Sequence, residues 1–138
     1  MSGHVATAEC EIDAPPDKVW RALTDPELIK KYMFGSEVKT DWQPGSPIKW
    51  KGEWEGRPFQ DTGEILANER EKRLQYSHRS GADPSGNIHT VTYDLSATGD
   101  ETTTVTVTQD NNPDQNTLDA STKNWQTMLD GLKKTVEA

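Results

Sequence analysis

The repeat of apolar residues changes along this chain, and that change constrains the fold more than any other feature of the sequence. From about residue 36 to residue 110, apolar side chains recur at alternate positions, which is typical of strands with one buried face. Residues that form turns divide this region into strands near 36–41, 46–54, 59–68, 72–79, 87–97 and 102–110. Because the connections between consecutive strands are short, the sequence predicts an antiparallel meander.

A strand and two short helices are predicted before this meander. Residues 4–13 alternate between apolar and polar side chains, which indicates a half-buried strand. The sequence Pro15-Pro16-Asp17 ends that strand and begins a helix, because proline fits the first helical turn and an early acid complements the helix dipole. Residues 24–27 contain a second helix start, with a capping residue, a proline and an acid in succession.

The last part of the chain predicts one long amphipathic helix. Leu118, Trp125, Leu132 and Val136 lie on an apolar stripe with steps of three or four, over about 18–20 residues. A sheet with one apolar face must cover that face, and this helix is the only predicted element of sufficient size. The sequence therefore predicts an α+β fold in which a curved seven-stranded antiparallel sheet wraps around the C-terminal helix. This arrangement of a sheet wrapped around a helix, a helix grip, leaves a hollow between helix and sheet.

Alternation also indicates which side chains point toward the helix. The predicted inner face carries Ile48, Trp50, Gly63, Ile65, Ala67, Leu74, Tyr76, His78, Val91, Tyr93, Leu95, Val105 and Val107. Cys10 shares this face in the first strand, where a buried thiol behaves as a small hydrophobe. Gly131 costs the helix about 1 kcal/mol relative to alanine. It is either needed for a close approach of the sheet or simply tolerated.

Composition excludes several classes of protein. A chain of 138 residues predicts a single domain over residues 1–138, and with 31% hydrophobic residues its core is small. The net charge of -8 and the lack of a basic stripe argue against nucleic acid as a partner. No apolar run approaches the roughly 18 residues of a membrane span. One cysteine and no predicted signal peptide lead us to expect a cytoplasmic location.

Three of the five tryptophans lie within the thirteen residues from Trp42 to Trp54. Pro44-Gly45 predicts the turn of a hairpin, Trp50 points inward, and Trp54 shares its parity unless Gly52 introduces a bulge. Large aromatic side chains can close a core that is poor in aliphatic residues. Alternatively, Trp50, Trp54 and Trp125 line a pocket for an apolar or aromatic ligand.

Several short motifs occur in a characteristic order along the chain. They are IDAPPDKVWRALTDP at 12–26, WQPG at 42–45, Trp50, GEI at 63–65, LQYS at 74–77, TVTYDL at 90–95, TTVTVT at 103–108 and the segment 125–132. In these motifs the chain resembles the activator of heat-shock-protein-90 ATPase homologues (AHSA-like), within the SRPBCC (START-like) superfamily that includes the birch-pollen allergen fold. The resemblance implies a helix-grip fold and a chaperone partner. Asn124 departs from the glycine that this family often has before the tryptophan of the final helix.

No motif for catalysis or for a cofactor is present. The sequence has no nucleophile elbow, P-loop, dinucleotide-binding glycine pattern or zinc spacing, so we predict no catalytic residues, no cofactor and no metal. The carboxylates Glu53, Glu55, Asp61 and Glu64 lack the spacing of a metal loop. His78 and His89 are either groups for proton transfer or pH-sensitive contact, or histidines satisfied by a hydrogen bond at a strand end.

Three hypotheses about function follow, in order of preference. The first is a non-enzymatic module that holds a small lipophilic or aromatic molecule between helix and sheet, with ligand-binding residues Trp50, Trp54, Tyr76, His78, Tyr93, Trp125, Met128 and Leu129. The second is a chaperone-associated interaction domain, which requires an exposed apolar patch, and residues 32–34 are the candidate for it. The third is a cyclase- or aromatase-like enzyme, as occurs elsewhere in the superfamily, with Tyr76, His78, Tyr93 and an outward-facing Thr92 as candidates.

Overall fold

The computed structural model describes residues 4–33, 35–54, 56–81, 88–112 and 114–137, and for Trp54 it describes the backbone. The elements follow the predicted order of one strand, two helices, six strands and one helix. They are β1 (His4–Ile12), α1 (Pro16–Thr24), α2 (Pro26–Tyr32), β2 (Glu37–Lys39), β3 (Pro47–Trp54), β4 (Arg57–Glu69), β5 (Arg73–Arg79), β6 (Ile88–Gly99), β7 (Thr102–Asn112) and α3 (Gln115–Glu137).

The seven strands form one sheet in the order β1-β7-β6-β5-β4-β3-β2, and every neighbouring pair is antiparallel. Strands β2 to β7 are neighbours in sequence and in space, as a meander requires, and β1 joins the far edge beside β7. The curved sheet packs on α3, and α1 and α2 follow the first strand. The predicted helix-grip architecture is confirmed.

Helix α3 has 23 residues and begins three residues before the predicted apolar stripe. The Asp114 carboxylate accepts a hydrogen bond from the Thr117 backbone N–H at 2.8 Å, which satisfies one of the free donors of the first turn. This turn is polar, and an apolar period therefore cannot reveal it. Within the ranges given above, neither α3 nor another helix is both long enough and apolar enough to cross a membrane.

The inner face of the sheet agrees with the predicted alternation except at Ala67. Ile65 pairs with Tyr76, but Ala67 pairs with Gln75, so Leu66 is an extra residue in β4. Cross-strand partners share a face of the sheet, and this bulge turns Ala67 to the outer face beside Gln75. The assignment of Ala67 to the inner face is therefore wrong. The bulge predicted as a possibility at Gly52 is absent, because β3 and β4 stay in register from Pro47 to Trp54.

Tyr32 on α2 contacts both of the other helices. A Cβ atom built on Gly131 would lie 3.1 Å from Tyr32 Cβ, so this glycine permits the approach of α2. The interpretation that it permits an approach of the sheet is wrong. The buried Tyr32 hydroxyl donates a hydrogen bond to the Ala22 carbonyl oxygen at 2.7 Å, which connects α2 to α1. The short helices are thereby fixed against one end of the grip.

Gly63 allows β4 and β5 to approach each other closely. A Cβ atom at this position would lie 1.8 Å from the Ser77 carbonyl oxygen, and a backbone atom cannot move away without disturbing the sheet. We expect Gly63→Ala to lower the free energy of unfolding by about 3 kcal/mol, as overpacking does. Urea denaturation measures the change.

Gly56→Ala is the matched control for this substitution. Gly56 has φ of 78° and no atom within 4 Å of an added Cβ, so the cost there is limited to the left-handed backbone. That cost is about 1 kcal/mol. If Gly63→Ala is no more destabilising than Gly56→Ala, the close contact between β4 and β5 is not what requires this glycine.

Candidate functional site

A cavity of about 390 Å³ lies between α3 and the inner face of the sheet. One part of its wall is apolar and is formed by Met33, Trp50, Phe59, Tyr76, Val91, Trp125 and Met128. The other part is polar and is formed by Ser36, Asp61, His78, Ser80, His89, Gln109, Ser121 and Asn124. The volume and this mixed lining are typical of pockets for small molecules.

Aromatic rings of the apolar wall contact one another, partly through Tyr93, which lies behind the wall. The centroid of the Trp50 ring lies 5.0 Å from that of Tyr76, and Tyr76 in turn lies 5.9 Å from Tyr93. Tyr93 meets Trp125 edge to face at 6.0 Å and 85°. The rings thus connect β3, β5, β6 and α3, and their geometry matches the favourable tilted and edge-to-face arrangements of aromatic pairs.

The hydroxyl groups of Tyr76 and Tyr93 are paired with each other in the buried core, 2.9 Å apart. Burial is the main cause that raises the pKa of both tyrosines, since it penalises the phenolate. Burial also raises the pKa of Tyr32. All three hydroxyls therefore stay neutral in the folded protein far above neutral pH.

The polar wall centres on a hydrogen-bonded pair of Asp61 on β4 and His78 on β5. Asp61 Oδ2 lies 2.9 Å from His78 Nε2, and Asp61 Oδ1 accepts the Gly81 backbone N–H at 3.0 Å. Burial alone would raise the pKa of Asp61, but the hydrogen bonds from His78 and Gly81 more than offset it, and the pKa is lowered. Asp61 is therefore a carboxylate at neutral pH.

A second histidine stands beside this pair. The His89 ring lies 6.4 Å from the His78 ring between centroids, and His89 Nδ1 is 2.8 Å from the Asp110 carbonyl oxygen. On the neighbouring strand, Gln109 Oε1 accepts a hydrogen bond from Trp125 Nε1. The polar groups are thus held in fixed orientations by β7 and α3.

Of the predicted ligand-binding residues, the structure brings Trp50, Tyr76, His78, Trp125 and Met128 together on the cavity wall. Two others support that wall from behind. Tyr93 is bonded to Tyr76 and packs on Trp125, and Leu129 is fully buried in the core. The Trp54 side chain lies outside the described part of the chain. Ligand binding at these residues stays a prediction.

Three wall residues that the sequence analysis did not assign to a site could have been found by alternation, and a fourth could have been found by its position on α3. Phe59 and Asp61 have the parity of Ile65 in β4, and Gln109 has the parity of Val107 in β7. Asn124 precedes Trp125 on α3 and is exposed at the edge of the cavity. What alternation does not give is the contact between Asp61 and His78, which depends on strand register.

The described residues include no group of three or more His, Cys, Asp or Glu side chains that could hold a metal ion. Cys10 on β1 is partly buried and packs on the core. Burial is the main cause that raises the pKa of its thiol, with a smaller opposing effect from Lys133. This cysteine is therefore not activated as a nucleophile.

The raised pKa values of the buried tyrosines determine how the stability of the fold should depend on alkaline pH. Because the folded pKa of each lies above the ordinary value near 10, the neutral hydroxyls stabilise the fold fully below about pH 10, and this contribution is lost as pH rises further. We expect tyrosinate absorbance to appear only together with cooperative alkaline unfolding, followed by circular dichroism. In denaturant the same residues should titrate near 10. Tyrosinate formation near pH 10 in the folded protein would contradict this prediction.

Comparison with known proteins finds a matching family model and similar solved structures. The family model described as "Activator of Hsp90 ATPase homolog 1-like protein" matches residues 13–137. The chain is 45% identical in sequence to ChR145 from Cytophaga hutchinsonii, and the match covers 99% of this chain and 96% of ChR145. The solution structure of ChR145 superposes on this structure with a TM-score of 0.83. None of the curated proteins compared with the chain matches it.

More distant solved structures share the fold. MLL2253 from Mesorhizobium loti is 23% identical, with 97% of each chain covered and a TM-score of 0.82. CalU16 from Micromonospora echinospora is 23% identical, with 99% of this chain and 85% of that chain covered and a TM-score of 0.75. At this identity the similarity establishes the architecture alone.

Proposed function

The chain belongs to the family of activator of Hsp90 ATPase homolog 1-like proteins, and on this premise we propose that it is a non-enzymatic module that binds a small lipophilic or aromatic molecule. The observation that carries this proposal is the cavity of about 390 Å³ between α3 and the sheet. Aromatic side chains form one part of its wall, and the polar side chains around Asp61, His78 and His89 form its polar end. Apolar surface supplies affinity in such a site, and a few fixed polar groups supply orientation.

The proposed contacts divide into two groups. Trp50, Tyr76, Trp125 and Met128 offer the apolar surface that a ligand would cover, and His78 offers a polar contact at the end of the cavity. Covering about 200 Å² of apolar ligand surface contributes about 5 kcal/mol before the cost of association is subtracted. In this proposal Tyr93 and Leu129 act indirectly, by holding the wall in shape.

A chaperone-associated role has less support at the described residues. It requires an exposed apolar patch around residues 32–34, but Tyr32 is 5% exposed and Met33 is partly buried at the cavity. Phe34 lies outside the described part of the chain. The family name is thus the main support for this role, and a family or fold does not by itself determine function.

An enzymatic role also has less support than binding. The hydroxyls of Tyr76 and Tyr93 bond to each other, and Thr92 bonds to Gln75 on the outer face of the sheet. The Asp61–His78 pair at the cavity is the described feature that most favours catalysis. If His78→Ala or Tyr76→Phe abolished a measured turnover, the non-enzymatic proposal would be wrong.

The proposal is tested by an amide NMR titration with fatty acids, sterols, flavonoids and polyketide-like aromatics. We expect saturable shifts at Trp50, Tyr76 and the first half of α3 for at least one of these classes, because the cavity opens between these elements. Shifts with none of the compounds would contradict the proposal and favour a search for a protein partner.

Substitution of Trp125 identifies the binding surface. Trp125 forms part of the cavity wall and is partly buried, so Trp125→Ala should weaken binding of the best compound more than tenfold, on the order of 1.4 kcal/mol, while the fold survives. Trp42→Ala is the matched control, because Trp42 packs on the core but is not part of the cavity wall. Calorimetry gives the affinities. An equal loss in both variants would assign the effect to stability rather than to contact.

A further inference from the structure

We infer that the juxtaposed imidazoles of His78 and His89 make the polar end of the cavity an acceptor of hydrogen bonds, and that the preferred ligand is an aromatic molecule carrying a free hydroxyl group. This inference rests on the proposed binding function and names the class of ligand. It follows from the partners that hold each imidazole, since those partners determine which ring nitrogen carries the proton.

The proton of neutral His78 lies on Nε2. Its partner at 2.9 Å is Asp61 Oδ2, and Asp61 is ionised because hydrogen bonds keep the pKa of its carboxyl low. A carboxylate only accepts hydrogen bonds, so His78 Nε2–H must donate. The lone pair of neutral His78 therefore lies on Nδ1, which has no hydrogen-bond partner among the described residues.

The same argument applies to His89 with the two nitrogens exchanged. His89 Nδ1 lies 2.8 Å from the Asp110 carbonyl oxygen, which only accepts hydrogen bonds. Nδ1–H therefore donates, and the lone pair lies on Nε2, which is also without a described partner. The Asp110 carboxylate is engaged elsewhere, by the Thr90 backbone N–H at 2.6 Å, so it does not compete for this histidine.

In its neutral form, each histidine therefore keeps one acceptor nitrogen without a hydrogen-bond partner among the described residues, and both residues line the cavity. The centroids of the two histidine rings are 6.4 Å apart, and the centroid of the His78 ring lies 5.0 Å from that of Trp50 at an interplanar angle of 70°. The polar acceptors therefore adjoin the aromatic wall directly. A ligand that covers this wall displaces the water that would otherwise bond to the acceptors. A hydroxyl group on the ligand restores that bond, whereas an ether in its place leaves an acceptor facing an acceptor.

A pair of matched probes tests the inference. 2-Naphthol and 2-methoxynaphthalene share an aromatic body small enough for the cavity and differ in the hydroxyl proton. We expect 2-naphthol to bind about tenfold more tightly, which is the usual scale for a hydrogen bond in a desolvated site. Amide NMR titrations at neutral pH give both dissociation constants and report whether the shifts lie at the histidine end.

Variants of the two histidines test whether the preference for 2-naphthol arises at the polar end of the cavity. His78→Phe and His89→Phe each keep an aromatic ring and remove an acceptor, so the ratio of the affinities for 2-naphthol and for the ether should fall severalfold. Because the ratio is compared, a change in affinity that both probes share cancels. Two separate variants are used so that a folding defect in one leaves the other informative. His4→Phe is the matched control, because His4 is exposed on β1, away from the cavity, and its variant should keep the full preference.

The outcomes separate the ligand class from the binding function. Equal affinities of the two probes in the wild-type protein would overturn the inference and leave the proposed binding function standing. A preference for 2-naphthol that both histidine variants retain would also overturn it. Binding of neither probe would count against the binding cavity itself, and the inference would fall with it.

Discussion

The contact of α3 with the inner face of the sheet is the constraint on which the rest of this structure depends. A seven-stranded sheet with one apolar face cannot leave that face in water, and α3 is the element that covers it. Leu129 and Leu132 are fully buried in this contact, and Met128 is 3% exposed. With 31% hydrophobic residues the chain has few alternatives for its core, so large aromatic side chains fill much of the remaining space.

Buried polar side chains determine how α3 meets the sheet near the cavity. Asn112 at the end of β7 is fully buried and donates to the carbonyl oxygens of His4 and Gln109, each at 3.0 Å. Its Oδ1 accepts the Ser121 hydroxyl at 2.8 Å, which connects β1, β7 and α3 through one side chain. An unsatisfied buried amide costs about 1–3 kcal/mol, so this set of bonds favours one position of the helix.

Elements with a regular period were predictable, and contacts that depend on register were not. Alternation assigned Trp50, Tyr76 and His78 to one face, and the structure confirms that these side chains meet. The bulge at Leu66 leaves no signal in composition, and it reversed the face of Ala67. The partner of Asp61 was missed for a related reason, because a cross-strand pair depends on how two strands align. Gly131 was visible in the sequence, but its partner Tyr32 depends on tertiary packing.

The Asp61–His78 pair is not explained by stability alone. Moving a carboxylate such as that of Asp61 from water into a protein carries a desolvation cost that its hydrogen bonds must offset, and apolar residues of similar size commonly stabilise a fold as well or better. The side chains of Asp61 and His78 are 17% and 25% exposed, so each has given up most of its hydration. Their inward position beside Trp50 departs from the pattern of apolar inner residues that the rest of the sheet follows. Departures of this kind concentrate where a protein binds or reacts. The partners of His78 and His89 impose tautomers that leave one acceptor nitrogen on each neutral ring without a partner among the described residues, and this is the property that the proposed ligand would use.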